Sequence, residues 1–150
     1  MDYQIAIEKI KKIVLTTPEH KILQKTVEFL NNNFEKYNWV GIYVVKDKNL
    51  ILGPWKGPHA TEHTNIPIGK GICGSAAKSG RTELIDDVSK DKRYLSCFIS
   101  TRSEIVVPIK RNNKTIGEID IDSDIPSAFN KYDSEFLEKV ADIISKYICN

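Results

Sequence analysis

A chain of 150 residues can bury one hydrophobic core without disulfide or metal staples, and it leaves little for a second domain, so one domain over residues 1–150 is expected. Its 22 basic and 20 acidic residues leave a net charge of +2, which gives no electrostatic case for nucleic acid or a membrane surface. With 41% hydrophobic and 28% charged residues the composition excludes disorder, and no apolar run approaches the ~20 residues of a membrane span.

Residues 1–15 mix Asp2, Glu8, Lys9, Lys11 and Lys12 into their apolar positions, unlike a signal peptide, so a soluble, cytoplasmic protein is expected. Residues 1–16 read as a helix with Ile5, Ile10, Ile13 and Val14 as its apolar residues. Thr17 is a natural N-cap with Pro18 in the first helical position, which predicts a second helix to about Tyr37. The run Asn31-Asn32-Asn33 weakens that helix towards its end. The period then changes to two. Trp39–Val45 reads as a strand and Leu50–Leu52 as a second, followed by a loop holding Pro54, Gly57 and Pro58. Ile66–Ile68 is extended, Cys73–Ser79 is a short helix stopped by Gly80, and Thr82–Ile85 is another strand. Residues 86–103 read as irregular or weakly helical. Glu104–Ile109 and Thr115–Asp122 form a hairpin around Asn112-Asn113, and a helix from about Asp133 closes the chain. Helices at both ends of mostly adjacent strands predict an α+β fold with helices packed on an antiparallel sheet.

Two apparent motifs carry little. Gly69-Lys70-Gly71-Ile72-Cys73-Gly74 matches G-x-G-x-x-G, but the preceding strand is short, holds Pro67, and no long βαβ unit surrounds it. Its glycine turn at a helix start still suits a carboxylate or oxyanion. His59 and His63 are spaced H-x₃-H inside a Pro/Gly-rich loop rather than on a helix, so no metal site is expected from them. Cys73, Cys97 and Cys149 are odd in number, which argues against a disulfide framework.

Alternation places Val40, Ile42 and Val44 on one face of the first long strand, and Trp39, Gly41 and Tyr43 on the other. The two aromatics either pack under a loop or wall a ligand pocket, with the glycine leaving space between them. In the hairpin, the aliphatic sets Ile105/Val107/Ile109 and Ile119/Ile121 share a face only if residue 105 sits opposite 121. That register requires an odd loop such as Asn112–Lys114, or a bulge. It puts Glu104 opposite Asp122 with Asp120 beside them. The three are either solvated strand-end carboxylates or a crowded set that holds a proton near neutral pH, binds an ammonium group and supplies an acid.

Five ordered segments carry a resemblance that covers essentially the whole chain: NWVGIY (Asn38–Tyr43), LILGPWKG (Leu50–Gly57), IPIGKGICGSAA (Ile66–Ala77), SC…SEIVVPI (Ser96–Ile109) and IGEIDIDS (Ile116–Ser123). Together they resemble the free methionine-(R)-sulfoxide reductase family of GAF domains. The resemblance implies an antiparallel sheet flanked by helices and reduction of free methionine-(R)-sulfoxide with no metal or organic cofactor. It makes Cys97, seven residues before Glu104, the catalytic thiol and Cys73 the second family cysteine. It makes Trp39 and Tyr43 the pocket aromatics, and Glu104, Asp120 and Asp122 the pocket carboxylates. The family's further cysteine, upstream of the Ile-Pro pair and the usual resolving partner, is replaced here by His63; Cys149 has no family counterpart.

On this reading the Cys97 thiolate attacks the sulfoxide sulfur, and Glu104, or else Asp120 or Asp122, protonates the departing oxygen. A sulfenic acid remains. An external thiol, thioredoxin or a small thiol, then reduces it, with Cys73 as a candidate resolving thiol or with no internal partner in a monothiol cycle. The substrate's ammonium sits among the carboxylates, its sulfur against Trp39 and Tyr43, and its carboxylate near Gly71–Cys73. Two competing readings are a non-enzymatic GAF ligand sensor and a thiol redox sensor. A homodimer is left open.

Overall fold

Asp2 starts the first helix by accepting a hydrogen bond from the Ile5 N–H, and the computed structural model carries α1 over Tyr3–Thr16; residues 1–96 and 98–149 are described. Thr17 is not the cap of the next helix. It ends α1, Pro18 is extended, and a single 3₁₀ turn at Glu19–Lys21 leads into α2 at Ile22–Asn33. That helix stops short of Tyr37 because its asparagines turn to other backbone groups. Asn31 Nδ2 donates to the carbonyls of Tyr37 and Asn38, which draws the chain out of the helix.

The strands are β1 (Trp39–Lys46), β2 (Asn49–Lys56), β3 (Asn65–Pro67), β4 (Glu83–Ile85), β5 (Ser103–Arg111) and β6 (Lys114–Ser123). They form one antiparallel sheet in the order β3-β2-β1-β6-β5-β4. β2 runs further than its sequence suggests, through Gly53 and Pro54. The register slips by one between Gly41 and Tyr43, and this bulge places the proline where no ladder N–H is needed. The β5–β6 hairpin resolves the register question in favour of a bulge. Its loop is only Asn112-Asn113, both at positive φ, with Arg111 opposite Lys114. A slip between Ile109 and Lys110 leaves Ile116 as the extra residue and restores Ile105 opposite Ile121 and Glu104 opposite Asp122.

The two sheet faces are covered differently. Val40, Ile42, Ile105, Val107, Ile109, Ile119 and Ile121 pack beneath α1, α2 and α4 (Lys131–Ile144) as one buried cluster. Each such side chain contributes about 1.5–3 kcal/mol by leaving water. Among them sits one buried charge: Asp133 accepts from Tyr3 and Tyr37 hydroxyls at 2.7 Å each, from Lys36 Nζ at 2.7 Å, and from the Asn130 N–H at 3.0 Å. The opposite face carries α3 (Gly71–Ser79), ended by Gly80 in the left-handed conformation that favours glycine. Among the described residues no helix is long and apolar enough to cross a membrane.

Candidate functional site

Sheet alternation builds the floor of the site. With Val40, Ile42, Ile119 and Ile121 turned to the aliphatic core, β1 and β6 turn Trp39, Gly41, Tyr43, Glu118, Asp120 and Asp122 to the other face. The register sets Trp39 against Asp122, Gly41 against Asp120 and Tyr43 against Glu118, while β5 adds Glu104 opposite Asp122 and Val106 opposite Asp120. Helix α3 roofs this floor, packing Ile72, Cys73, Ala76 and Ala77 on Tyr43, Leu50, Ile66 and Val106.

The carboxylates are buried, which rules out the solvated reading. Glu104, Glu118, Asp120 and Asp122 are all among the buried residues. Glu104 sits against both Asp120 and Asp122 and partly offsets what burial does to each. Burial pushes the Asp122 carboxyl well above its ordinary value, and the neighbouring Asp120 charge adds to this. Burial likewise raises Asp120 and Glu118. The Cys73 thiol is pushed well up by burial and then by Asp120, Glu118, Glu104 and Asp122, so it is a neutral thiol near pH 7.

Glu118 lies outside the set expected from sequence, although its parity matches that of Asp120 and Asp122. Neither of its oxygens reaches a hydrogen-bond partner at ordinary distances, with the Cys73 thiol close by as a weak donor.

The aromatics line one end. Trp39 stacks on Trp55 at 6.1 Å and meets the Phe98 ring at 5.9 Å, and its indole N–H donates to the His59 carbonyl. The space over Gly41 is not open: a Cβ there would meet the Trp39 ring at 2.3 Å, so the glycine lets the indole lie flat on the strand. The Tyr43 hydroxyl donates to the His63 carbonyl at 2.7 Å.

Two irregular segments close the site. His63 Nε2 lies 3.1 Å from the Ser96 carbonyl and joins them. Arg93 pins the second segment to β4 by a bidentate pair with Glu83 at 2.8 and 3.1 Å. Leu95 then covers Gly71, where a Cβ would meet its side chain at 2.8 Å. The glycines of the apparent dinucleotide motif thus serve packing: Gly74 is pressed against the Pro67 carbonyl and Gly69. What remains is a cavity of about 20 Å³ between Tyr43, His63, Cys73, Leu95, Glu104 and Asp120. That is room for roughly one water. A larger hollow of about 750 Å³, bordered by Asp86, Asp91 and Pro126, is an open surface feature whose charged residues are at least partly solvated.

Of the residues singled out from sequence, Trp39, Tyr43, Cys73, Glu104, Asp120 and Asp122 share this face. Cys97, the expected nucleophile, lies outside the described residues; its neighbours Ser96 and Phe98 both contact the site's walls through His63 and Trp39. Cys149 is exposed and borders Val44, Ile51 and Gly53. His59 is exposed, whereas His63 is half-buried and bonded. Among the described residues, those able to hold a cation together are Cys73, Glu104 and Asp120, whose ligand atoms lie within 4.8 Å of one another.

Residues 18–148 match the GAF domain family model. The chain is 32% identical over 126 residues to the free methionine-R-sulfoxide reductase of Escherichia coli, spanning 84% of this chain and 75% of that protein. Among solved structures it is similar to fRMsr of Staphylococcus aureus in its reduced form, with 37% identity, a TM-score of 0.89, and coverage of 99% of this chain and 96% of that one. It is also similar to free methionine-R-sulfoxide reductase from Neisseria meningitidis in complex with its substrate. There the identity is 34%, the TM-score 0.89, and coverage 97% of this chain and 87% of that one.

Proposed function

Because this chain belongs to the GAF family, in the branch that holds the free methionine-R-sulfoxide reductases, we propose that it reduces free methionine-(R)-sulfoxide to methionine at Cys97. The observation that carries the reading is the buried set Glu104–Asp120–Asp122 beside the Trp39–Tyr43 wall. Such a set answers both needs of the reaction, a counter-charge for the substrate's ammonium and a proton for the departing oxygen. Trp39 and Tyr43 give the methyl and sulfur an apolar surface.

The Cys97 thiolate forms a bond to the sulfoxide sulfur, Glu104 delivers a proton to the oxygen, and the oxygen passes to Cys97 as a sulfenic acid while methionine leaves. Cys97 is oxidised and the substrate sulfur reduced by two electrons. One external thiol then attacks the sulfenic acid, releasing water and leaving a mixed disulfide; a second thiol frees Cys97. We infer a monothiol cycle with a small-thiol reductant and no resident cofactor. The support is that His63 occupies the place of the usual resolving cysteine and that Cys73 is a buried, neutral thiol, a poor attacker until the carboxylates around it change. The cavity is too small for the amino acid, so the Leu95 and His63 side chains that line it must move for substrate to enter.

The test is methionine release from each sulfoxide epimer with dithiothreitol and with thioredoxin. Turnover of the (R) epimer, lost in Cys97→Ser and faster with dithiothreitol, is the expected result. Binding without release of methionine would mean a ligand sensor instead. A quantitative Cys73–Cys97 disulfide after one equivalent of sulfoxide, in place of a dimedone-trapped sulfenic acid, would overturn the monothiol cycle.

A further inference from the structure

The same walls fit a second kind of ligand. Cys73 comes from α3, Glu104 from β5 and Asp120 from β6, yet one sulfur and two carboxylate oxygens converge within 4.8 Å, all in buried residues. Around a tetrahedral zinc ion, with Zn–S about 2.3 Å and Zn–O about 2.0–2.2 Å, neighbouring ligand atoms stand about 3.5 Å apart, so the trio needs to contract by about 1 Å.

Glu118 makes an independent case. It is fully buried on the same face, beside Cys73 and Asp120, and neither oxygen reaches a partner at ordinary hydrogen-bond distance, with the Cys73 thiol as its weak donor neighbour. One oxygen of Asp120 is unpartnered as well. Among the described residues no ion pair reaches Glu118, Asp120 or Asp122. Buried acceptors without donors call for a cation. A sulfur ligand selects zinc-like ions over magnesium or calcium, and a cavity of about 20 Å³ leaves no room for the waters or additional oxygens those ions keep.

We propose that Cys73, Glu104 and Asp120, completed by Glu118, form a site for a thiophilic divalent cation of the zinc type, and that the bound ion and the amino-acid substrate exclude each other. The exclusion, not the site, rests on the reductase reading, because the ion would take the oxygens assigned to the ammonium and hold Cys73 as a thiolate.

The experiment uses the full chain with Cys97→Ser and Cys149→Ser, so that Cys73 is the one thiol, under a phosphine reductant. Titration with Co²⁺ should produce a thiolate-to-cobalt absorption band at one equivalent. Zn²⁺ should abolish it, and excess Mg²⁺ should leave it unchanged. Glu118→Gln should weaken Co²⁺ binding by about tenfold or more, and Cys73→Ser should remove the band. Absence of the band, its survival in Cys73→Ser, or its loss to Mg²⁺ would overturn the site, and the first and third outcomes need no variant of the site itself. Methionine sulfoxide in excess should raise the apparent Kd for Co²⁺; an unchanged Kd would overturn mutual exclusion. Methionine release is read separately on the unsubstituted chain: Co²⁺ binding through Cys73 with no release by that chain keeps the site and loses the reductase reading, and the converse result does the opposite.

Discussion

Asp133 and Glu118 are both buried carboxylates, one on each side of the same sheet, and their surroundings are opposites. Around Asp133, burial raises the carboxyl, but Lys36, the Asn130 N–H, Tyr3 and Tyr37 together more than offset it and hold the group below its ordinary value, as an anion. Around Glu118 burial acts with the Asp120 charge, only the Cys73 thiol opposes them, and the group is pushed well up. The helix-covered face satisfies its charge and uses it to tie α1, α4 and the link between α2 and β1 together. The face under α3 leaves acceptors unfilled, which costs stability and is reasonable only where a ligand completes the set.

The sharpest way to break this contrast is Asp133→Ala. It strands two tyrosine hydroxyls and Lys36 and should lower stability by about 3 kcal/mol, the low end for a broken buried pair, since Lys36 is partly exposed and can return to water. The pH dependence follows from the lowered carboxyl. Its stabilisation is fully present above the ordinary value of 3.8 and is lost as pH falls through the still lower folded value. Urea unfolding at neutral and acid pH checks both: the penalty of Asp133→Ala should shrink on acidification, and a penalty independent of pH would mean that packing, not charge, is the cause.

On the opposite face the losses should fall on activity. Glu104→Gln should lower kcat by about 10²-fold if it is the acid, whereas Asp122→Asn should mainly raise KM. Small, equal effects from both would return these residues to a structural role. Glu118→Leu should differ in sign from Asp133→Ala. Replacing unpartnered buried oxygens by methyl groups should raise the unfolding free energy by about 1 kcal/mol. A loss of stability there would show that Glu118 is satisfied in the folded protein.

The face that carries the site was legible from the chain because period-two alternation is strict: the aliphatic set in β1, β5 and β6 leaves Trp39, Tyr43, Glu104, Asp120 and Asp122 one place to go. The same parity marks Glu118, which alternation alone could have found. Other features depend on contacts distant in sequence. Nothing near Asp133 announces Tyr3 or Tyr37, more than ninety residues away. Nothing near Cys73 announces the acids that α3 docks against. Thr17 has the chemistry of a cap and is not one, since Pro18 and a 3₁₀ turn intervene. Pro54 lies inside a strand because a bulge makes room for it, and local propensity carries no sign of that.

The smallest expected effect tests how far the hairpin's far end is insulated from the site. Asn112 and Asn113 form the turn at φ 54° and 63°, a conformation asparagine tolerates and glycine adopts freely. Asn113→Gly relieves that strain while giving the unfolded chain more freedom, so the net gain should be no more than about 0.5 kcal/mol. The register that sets Glu104 against Asp122 is held downstream of the turn, by the bulge at Ile116 and by Ile105, Val107, Ile119 and Ile121 in the core. Easing the turn should therefore leave kcat/KM unchanged. A thermal melt together with a methionine-release assay decides it. If the variant gains stability but loses activity, the turn helps position the carboxylates, and the division between a face that holds the fold and a face that holds the chemistry does not extend along the whole hairpin.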